Sequence, residues 1–156
     1  WAPLGAEHDG VFTTDVSFAP IATGGFNSTL RDAARFGLMA LNDGCLGQKQ
    51  IAPESWIKDT YDVRDEDRAA GAASVNADAT HERFIDGFTG YRSFWWQFDA
   101  AQGERVAMGV HGQVIYVNRA KNLVIANFAS PEVTANQLRP TFKQMLAGTR
   151  ALAASF

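Results

Sequence analysis

A single cysteine among 156 residues excludes an internal disulfide framework and any multi-cysteine metal site. It is Cys45, in the turn-like stretch Asn42-Asp43-Gly44-Cys45-Leu46-Gly47. No histidine stands near it in sequence to activate a thiolate, so a catalytic thiol is not expected. Histidine is scarce too. His8, His81 and His111 are widely spaced and lack carboxylates at ligand spacing, so no metal and no other cofactor is implied. No apolar run reaches the ~18 residues that a membrane span needs. A secretory signal is also missing, but Trp1 instead of Met opens the chain, so the natural start is expected upstream and the compartment stays open. Positive charge is not concentrated anywhere: fourteen Lys and Arg are scattered along a chain of net charge −3. That excludes the basic face of a nucleic-acid binder.

What is present is the balance of an ordinary globular chain, 46% hydrophobic and 20% charged. The length suits one domain, which would bury roughly two-thirds of its unfolded surface. The first 27 residues read as loop with short extended pieces, including a strand or two between Val11 and Ile21, and Gly24-Gly25 punctuates them. A helix follows. Thr29 is its N-cap, and Asp32, three residues on, offers a capping-box-like reciprocal contact. Ala33, Phe36, Gly37, Ala40 and Leu41 recur at helical spacing, flanked by Leu30 and Met39, until Asn42-Asp43-Gly44 stops the helix. A shorter helix starts at Pro53 and is expected to turn Trp56 and Ile57 inward. Residues 1–61 thus form a loop and helical part. Residues 62–90 differ, with a mixed charge run followed by small polar residues, and read as a long loop or flap.

From Tyr91 the pattern changes to strands. They are expected at Phe94–Phe98, Arg105–Gly109, Gln113–Val117 and Leu123–Phe128, and Tyr91, Trp95 and Trp96 are expected in the core or on a sheet face. Short turns at Ala101-Gln102-Gly103 and Arg119–Asn122 make neighbours antiparallel. A helix from about Glu132 to Ala154 closes the chain, with Pro140 expected to kink it or split off its first turns. The fold class is therefore α+β, an antiparallel sheet with the C-terminal helix packed on one face.

Three motifs invite a catalytic reading. Ser55-Trp56-Ile57-Lys58 matches S-x-x-K, in which one helical turn brings a lysine amine to a serine hydroxyl. Such a lysine has to be desolvated enough to lose its proton near neutral pH. Ser55 instead follows Pro53-Glu54 on a short helix that reads as solvated, so the spacing is read as chance. Tyr116-Val117-Asn118 matches Y-x-N but sits mid-strand and follows His111, the wrong order for that motif set. Met108-Gly109-Val110-His111-Gly112-Gln113 is more informative, because two glycines interrupt a strand pattern. Glycine there marks a bulge or a close approach of backbone or ligand. A backbone N–H freed at such a place can stabilise an oxyanion. A tight hairpin carrying a half-buried histidine is the bland alternative.

Several segments in order resemble the class C β-lactamase and penicillin-binding-protein-like serine hydrolases. Trp1-Ala2-Pro3-Leu4-Gly5-Ala6 resembles the segment after their tyrosine motif, and Ala22 to Gly37 resembles their glycine-pair and helix start. Gln50 to Ile57 is similar to their I-V-P-x-x-W stretch, and Gly109 to Asn118 resembles their G-H-G-G-Q-x-I-Y-V strand pair. The branch with 6-aminohexanoate-dimer hydrolases and family VIII carboxylesterases is the nearest in flavour. The resemblance implies the C-terminal portion of the β-lactamase/transpeptidase-like fold and acyl transfer through a serine ester. It also implies that the S-x-x-K and Y-x-N motifs lie upstream, so this chain alone is expected to be inactive.

The resemblance further implies an oxyanion donor on the third-motif strand, with the backbone N–H of Val110 first and Gly112 and Gln113 as alternatives. Gly109, His111, Gly112, Gln113 and Asn27 are the expected substrate-binding residues. His111 in place of the Lys-Thr-Gly lysine favours amide or ester substrates over a β-lactam carboxylate. The expected partners are a small amide or ester substrate and the N-terminal remainder of the same protein, with self-association of the chain when it is alone. No nucleic acid or membrane is expected. Two other readings compete: a non-catalytic binding module that keeps the fold, and a small complete enzyme using Ser55 and Lys58.

Overall fold

The computed structural model describes residues 1–22, 24–69, 87–130 and 139–156. Its centre is a five-stranded antiparallel sheet in the order β5-β6-β7-β8-β9, a meander in which each strand pairs with the next. The strands are β5 (Gly90–Arg92), β6 (Trp95–Gln97), β7 (Glu104–Gly109), β8 (Gln113–Asn118) and β9 (Leu123–Asn127). Two small hairpins precede the sheet: β1 (Val11–Phe12) with β2 (Phe26–Asn27), and β3 (Cys45–Leu46) with β4 (Lys49–Gln50). The helices are α1 (Leu30–Leu41), α2 (Glu54–Asp59) and α3 (Arg139–Ala154).

Both faces of this sheet are covered, not one. Residues alternate across a strand with period two, and along β8 Val114 and Tyr116 enter a cluster with Leu146 and Ala153 of α3. The residues between them, Ile115 and Val117, enter a second cluster with Ala40 and Leu41 of α1. Two buried faces explain why β8 and β9 read as nearly continuous apolar runs instead of alternating with polar residues. α1 comes especially close to the sheet at Gly37, where a Cβ would lie 2.6 Å from Val124 Cγ1 and 2.9 Å from Ile115 Cγ2. A third cluster of Leu4, Met39 and Ile57 ties the N-terminus and α2 to the outer side of α1.

Several local expectations are corrected. Between Val11 and Ile21 only Val11–Phe12 forms a strand, because turn chemistry overrides β propensity: the Asp15 carboxylate accepts from Ser17 N (2.8 Å) and Ala19 N (3.0 Å) and folds the chain back. β6 begins at Trp95, not Phe94, since Ser93 and Phe94 both take left-handed conformations in the β5–β6 turn. Trp95 is buried, Trp96 partly so, and Tyr91 lies at the exposed margin. On α2 Ile57 is buried but Trp56 is 56% exposed, as expected of residues a hundred degrees apart on one short helix. On α1 Phe36 lies at the edge of the buried stripe, stacked at 6.4 Å on Trp95.

The described ends of the 62–90 stretch are built onto the sheet. Residues 65–69 are helical, and the Arg92 guanidinium on β5 bonds Asp59 (2.7 Å) and Asp67 (3.0 Å). Gly90 itself belongs to β5. The flap reading of the intervening stretch, 70–86, lies outside the described residues. So do residues 132–138, the expected start of the last helix. The expected effect of Pro140 on the helix also depends on those residues.

Asp32 shows how a helix start became an anchor. Thr29 caps α1 as expected, its side chain accepting from Asp32 N at 3.1 Å. Asp32 does not return to the N-cap backbone. Its fully buried carboxylate accepts from the Thr29 hydroxyl (2.8 Å), Glu7 N (2.9 Å), His8 N (3.3 Å) and Arg35 Nη1 (2.6 Å), while Arg35 also reaches Glu7. Burial alone would raise this carboxyl, but the four donors outweigh it and hold the pKa at about 2, against 3.8 for an ordinary aspartate. A depressed carboxylate stabilises the fold above its unfolded pKa and loses that contribution as pH falls through its folded pKa. Asp32→Asn is therefore expected to lower Tm most above about pH 5, with the gap to the native chain closing between about pH 4 and pH 2. Thermal unfolding of both proteins across that range checks it.

Candidate functional site

The corner joining β7 to β8 holds the contiguous expected site residues Gly109 to Gln113. Gly109 ends β7 in extended conformation and pairs with Gln113, the first residue of β8. Val110, His111 and Gly112 make the tight turn between them, kinked at His111. His111 sits at φ 60°, ψ 25°, and Gly112 follows at φ 79°. Two successive left-handed residues reverse the chain in three residues. The first is a non-glycine, an uncommon choice whose strain the surrounding contacts must hold in place.

Those contacts come from β9 and α3. Gly112 is buried, and a Cβ there would meet Ala129 Cβ at 3.2 Å and Met145 Sδ at 3.6 Å, so only glycine fits both the space and the backbone angle. The Gly112 carbonyl accepts from Asn127 Nδ2 at 3.2 Å, and the His111 carbonyl accepts from Gln113 Nε2 at 3.3 Å. The Gln113 side chain also grips the backbone of Ala129 at both ends, donating to its carbonyl at 2.5 Å and accepting from its N–H at 3.3 Å. Gln113, expected to touch substrate, thus uses its side chain to fasten the chain leaving β9.

Asn27 stands apart from this corner in its bonding. Its amide donates to Gly25 O (2.9 Å) and Val11 O (3.3 Å), inside the β1–β2 hairpin. The other two motifs sit in settings unlike a serine hydrolase centre. Ser55 is exposed, and the Lys58 ammonium pairs with the Glu54 carboxylate, which raises its pKa, opposite to what a general base needs. Tyr116 is buried in the sheet core, its hydroxyl accepting from Asn118 Nδ2 at 3.2 Å, and burial raises its pKa. Among the described residues no three His, Cys, Asp or Glu side chains cluster as metal ligands. No described helix is long and apolar enough to cross a membrane.

Sequence reasoning located the corner through its glycines but missed Asn127. Asn127 falls inside the expected strand Leu123–Phe128, and nothing local shows which backbone its amide will reach.

No protein-family profile matches the chain. A 6-aminohexanoate-dimer hydrolase of Paenarthrobacter ureafaciens is 28% identical over 132 residues, covering 83% of this chain and 31% of that protein. Among solved structures, a candidate 6-aminohexanoate-dimer hydrolase from Bacillus anthracis aligns with a TM-score of 0.67 at 26% identity, covering 94% of this chain and 34% of the other. A candidate β-lactamase from Bacteroides dorei DSM 17855 shares the fold, with a TM-score of 0.53 at 18% identity, over 94% of this chain and 48% of its own. The chain spans about a third of the length of the 6-aminohexanoate-dimer hydrolases it matches. Its α+β fold resembles that of the β-lactamase/transpeptidase superfamily, and its sequence is similar to 6-aminohexanoate-dimer hydrolases at moderate identity.

Proposed function

We propose that this chain is the C-terminal segment of a serine hydrolase that cleaves amide or ester bonds through an acyl-enzyme. Its contribution is the β7–β8 corner, where a backbone N–H stabilises the oxyanion of the tetrahedral intermediate. Val110 is the first candidate donor, with Gly112 and Gln113 as alternatives, and Gly109 and His111 border the substrate. The observation that carries this reading is the strained turn at His111–Gly112, lodged in a strand pair whose sequence resembles the third motif of such hydrolases. Fixed backbone donors cost no reorganisation as charge develops, which is what an oxyanion site requires.

The nucleophile and bases come from an upstream S-x-x-K and Y-x-N in this reading, and not from Ser55-Trp56-Ile57-Lys58 or Tyr116-Val117-Asn118 of this chain. The pairing of the Lys58 ammonium with the Glu54 carboxylate, which raises the lysine pKa, supports leaving Ser55 and Lys58 out of this role. His111 in the lysine position disfavours a carboxylate-bearing β-lactam and favours neutral amide or ester groups. The test is covalent labelling with a fluorophosphonate serine probe: a longer polypeptide carrying this chain is labelled upstream of it, and the chain alone stays unlabelled.

A further inference from the structure

We infer that Asn127 is a positioning residue for the β7–β8 corner, fixing with Gln113 the direction of the backbone N–H groups of Gly112 and Gln113, the two alternative oxyanion donors, and not that of Val110. The inference rests on the acyl-transfer reading for its chemical consequence, but the geometry is independent of it. A peptide unit is planar, so the carbonyl of one residue and the N–H of the next turn as one body. The Gly112 carbonyl, held by Asn127 Nδ2 at 3.2 Å, therefore sets the Gln113 N–H. The His111 carbonyl, held by Gln113 Nε2 at 3.3 Å, likewise sets the Gly112 N–H.

Two side-chain amides thus fix two consecutive peptide planes, and each is itself immobilised. Asn127 ends β9, and its amide also meets Met145 Sδ of α3 at 3.5 Å. Gln113 is fastened to Ala129 at both ends of its amide. The arrangement answers a local problem. Gly112 is buried, so its carbonyl needs a partner that the turn does not provide. Without Asn127 the plane could rotate about the φ and ψ angles that glycine leaves free, and an N–H aimed at an oxyanion would lose its aim. Catalytic donors have to stay within roughly 0.5 Å of the productive geometry.

The experiment pairs two variants with two readouts. Asn127→Asp keeps the size and replaces the donor with an acceptor facing the Gly112 carbonyl; Asn127→Ser is smaller and keeps a donor. Hydrogen exchange of the 156-residue chain is expected to speed up at least about tenfold in 110–114 for the Asp variant, less for the Ser variant, with β5–β6 unchanged. In the longer polypeptide, kcat for an ester substrate is expected to fall about 10- to 100-fold for the Asp variant, with KM within about threefold. Unchanged exchange in 110–114 overturns the positioning role outright. Faster exchange with unchanged kcat overturns its catalytic consequence. A native longer polypeptide without any hydrolase activity discards the acyl-transfer reading, and the exchange result alone then decides whether Asn127 holds the corner.

Discussion

Arg105→Ala is expected to lower the unfolding free energy by about 3–5 kcal/mol, a large share of the roughly 5–15 kcal/mol that an ordinary domain has. Arg105 lies on β7 on the face toward α1 and is 0% exposed. Among the described residues no carboxylate bonds its guanidinium. Nη2 donates to the Ala40 carbonyl at 3.0 Å, and Nη1 donates to the Thr60 hydroxyl. Ala40 belongs to the last turn of α1, where carbonyls lack helical partners and the helix dipole is negative. The cation also sits 3.6 Å from the ring centre of Tyr61 and 4.2 Å from that of Trp95. Helix terminus and aromatic faces therefore take the place of a counter-ion. Burial lowers its pKa from 12.5 to about 10, with Tyr61 acting against it, so the side chain stays charged at neutral pH.

Alanine would leave a cavity between two rings and an unsatisfied carbonyl at the end of α1. Methionine fills most of the volume and removes the buried charge, so Arg105→Met is expected to cost no more than about 1–2 kcal/mol. Thermal and denaturant unfolding of the two variants separates the contributions. A loss below about 1 kcal/mol for alanine would mean that the desolvation cost of the cation cancels everything it holds.

The second large effect concerns the chain on its own. It is expected to self-associate, with light scattering giving a mass above that of one chain at micromolar concentration. β9 (Leu123-Val124-Ile125-Ala126-Asn127) pairs only with β8 among the described residues, and carries neither charge nor proline to blunt an open edge. The N-terminal arm adds apolar surface. Val16 is fully exposed at 102%, and Phe18 is 85% exposed at a left-handed φ of 64°. Val11, Phe12 and Phe26 are exposed beside them, with Phe26 in contact with both Trp1 and Phe12. If the proposed upstream part is what covers these surfaces in the whole protein, the chain alone is expected to cover them with another copy. Combined Val16→Ser and Phe18→Ser substitution is expected to weaken association at least about tenfold while leaving Tm nearly unchanged, since both side chains are exposed already. A monodisperse monomer for the native chain would contradict this account of its surfaces.

The meander was legible because local chemistry and long-range packing agree there. Gln102-Gly103 and Arg119–Asn122 are turn signals, and the runs between them have strand composition, so β7, β8 and β9 fall within a residue of expectation. α1 was legible for the same reason, from Thr29 to Asn42. What failed were residues whose role is set by distant chain. Arg105 appears in the sequence only as the start of an expected strand, and nothing local shows that it is buried under the end of α1. Asp32 reads as a cap, and its anchoring of Glu7 and His8 spans some twenty-five positions. Phe94 reads as strand, but Ser93 and Phe94 form the turn. The corner at His111 was visible from its glycines, whereas its fastening by Asn127 and Gln113 depends on which strands come side by side.

The measurement that bears most directly on the proposed function is intact-mass spectrometry after exposure to a fluorophosphonate serine probe. It is to be run on this chain alone and on the longer polypeptide that contains it. The expected result is no adduct on the 156-residue chain and a single adduct in the longer one, on a serine upstream of Trp1. An adduct mapped to Ser55 would contradict it and make Ser55 and Lys58 the working pair of a complete small enzyme. No adduct on either would equally contradict it, leaving a binding module that keeps the fold of its hydrolytic relatives.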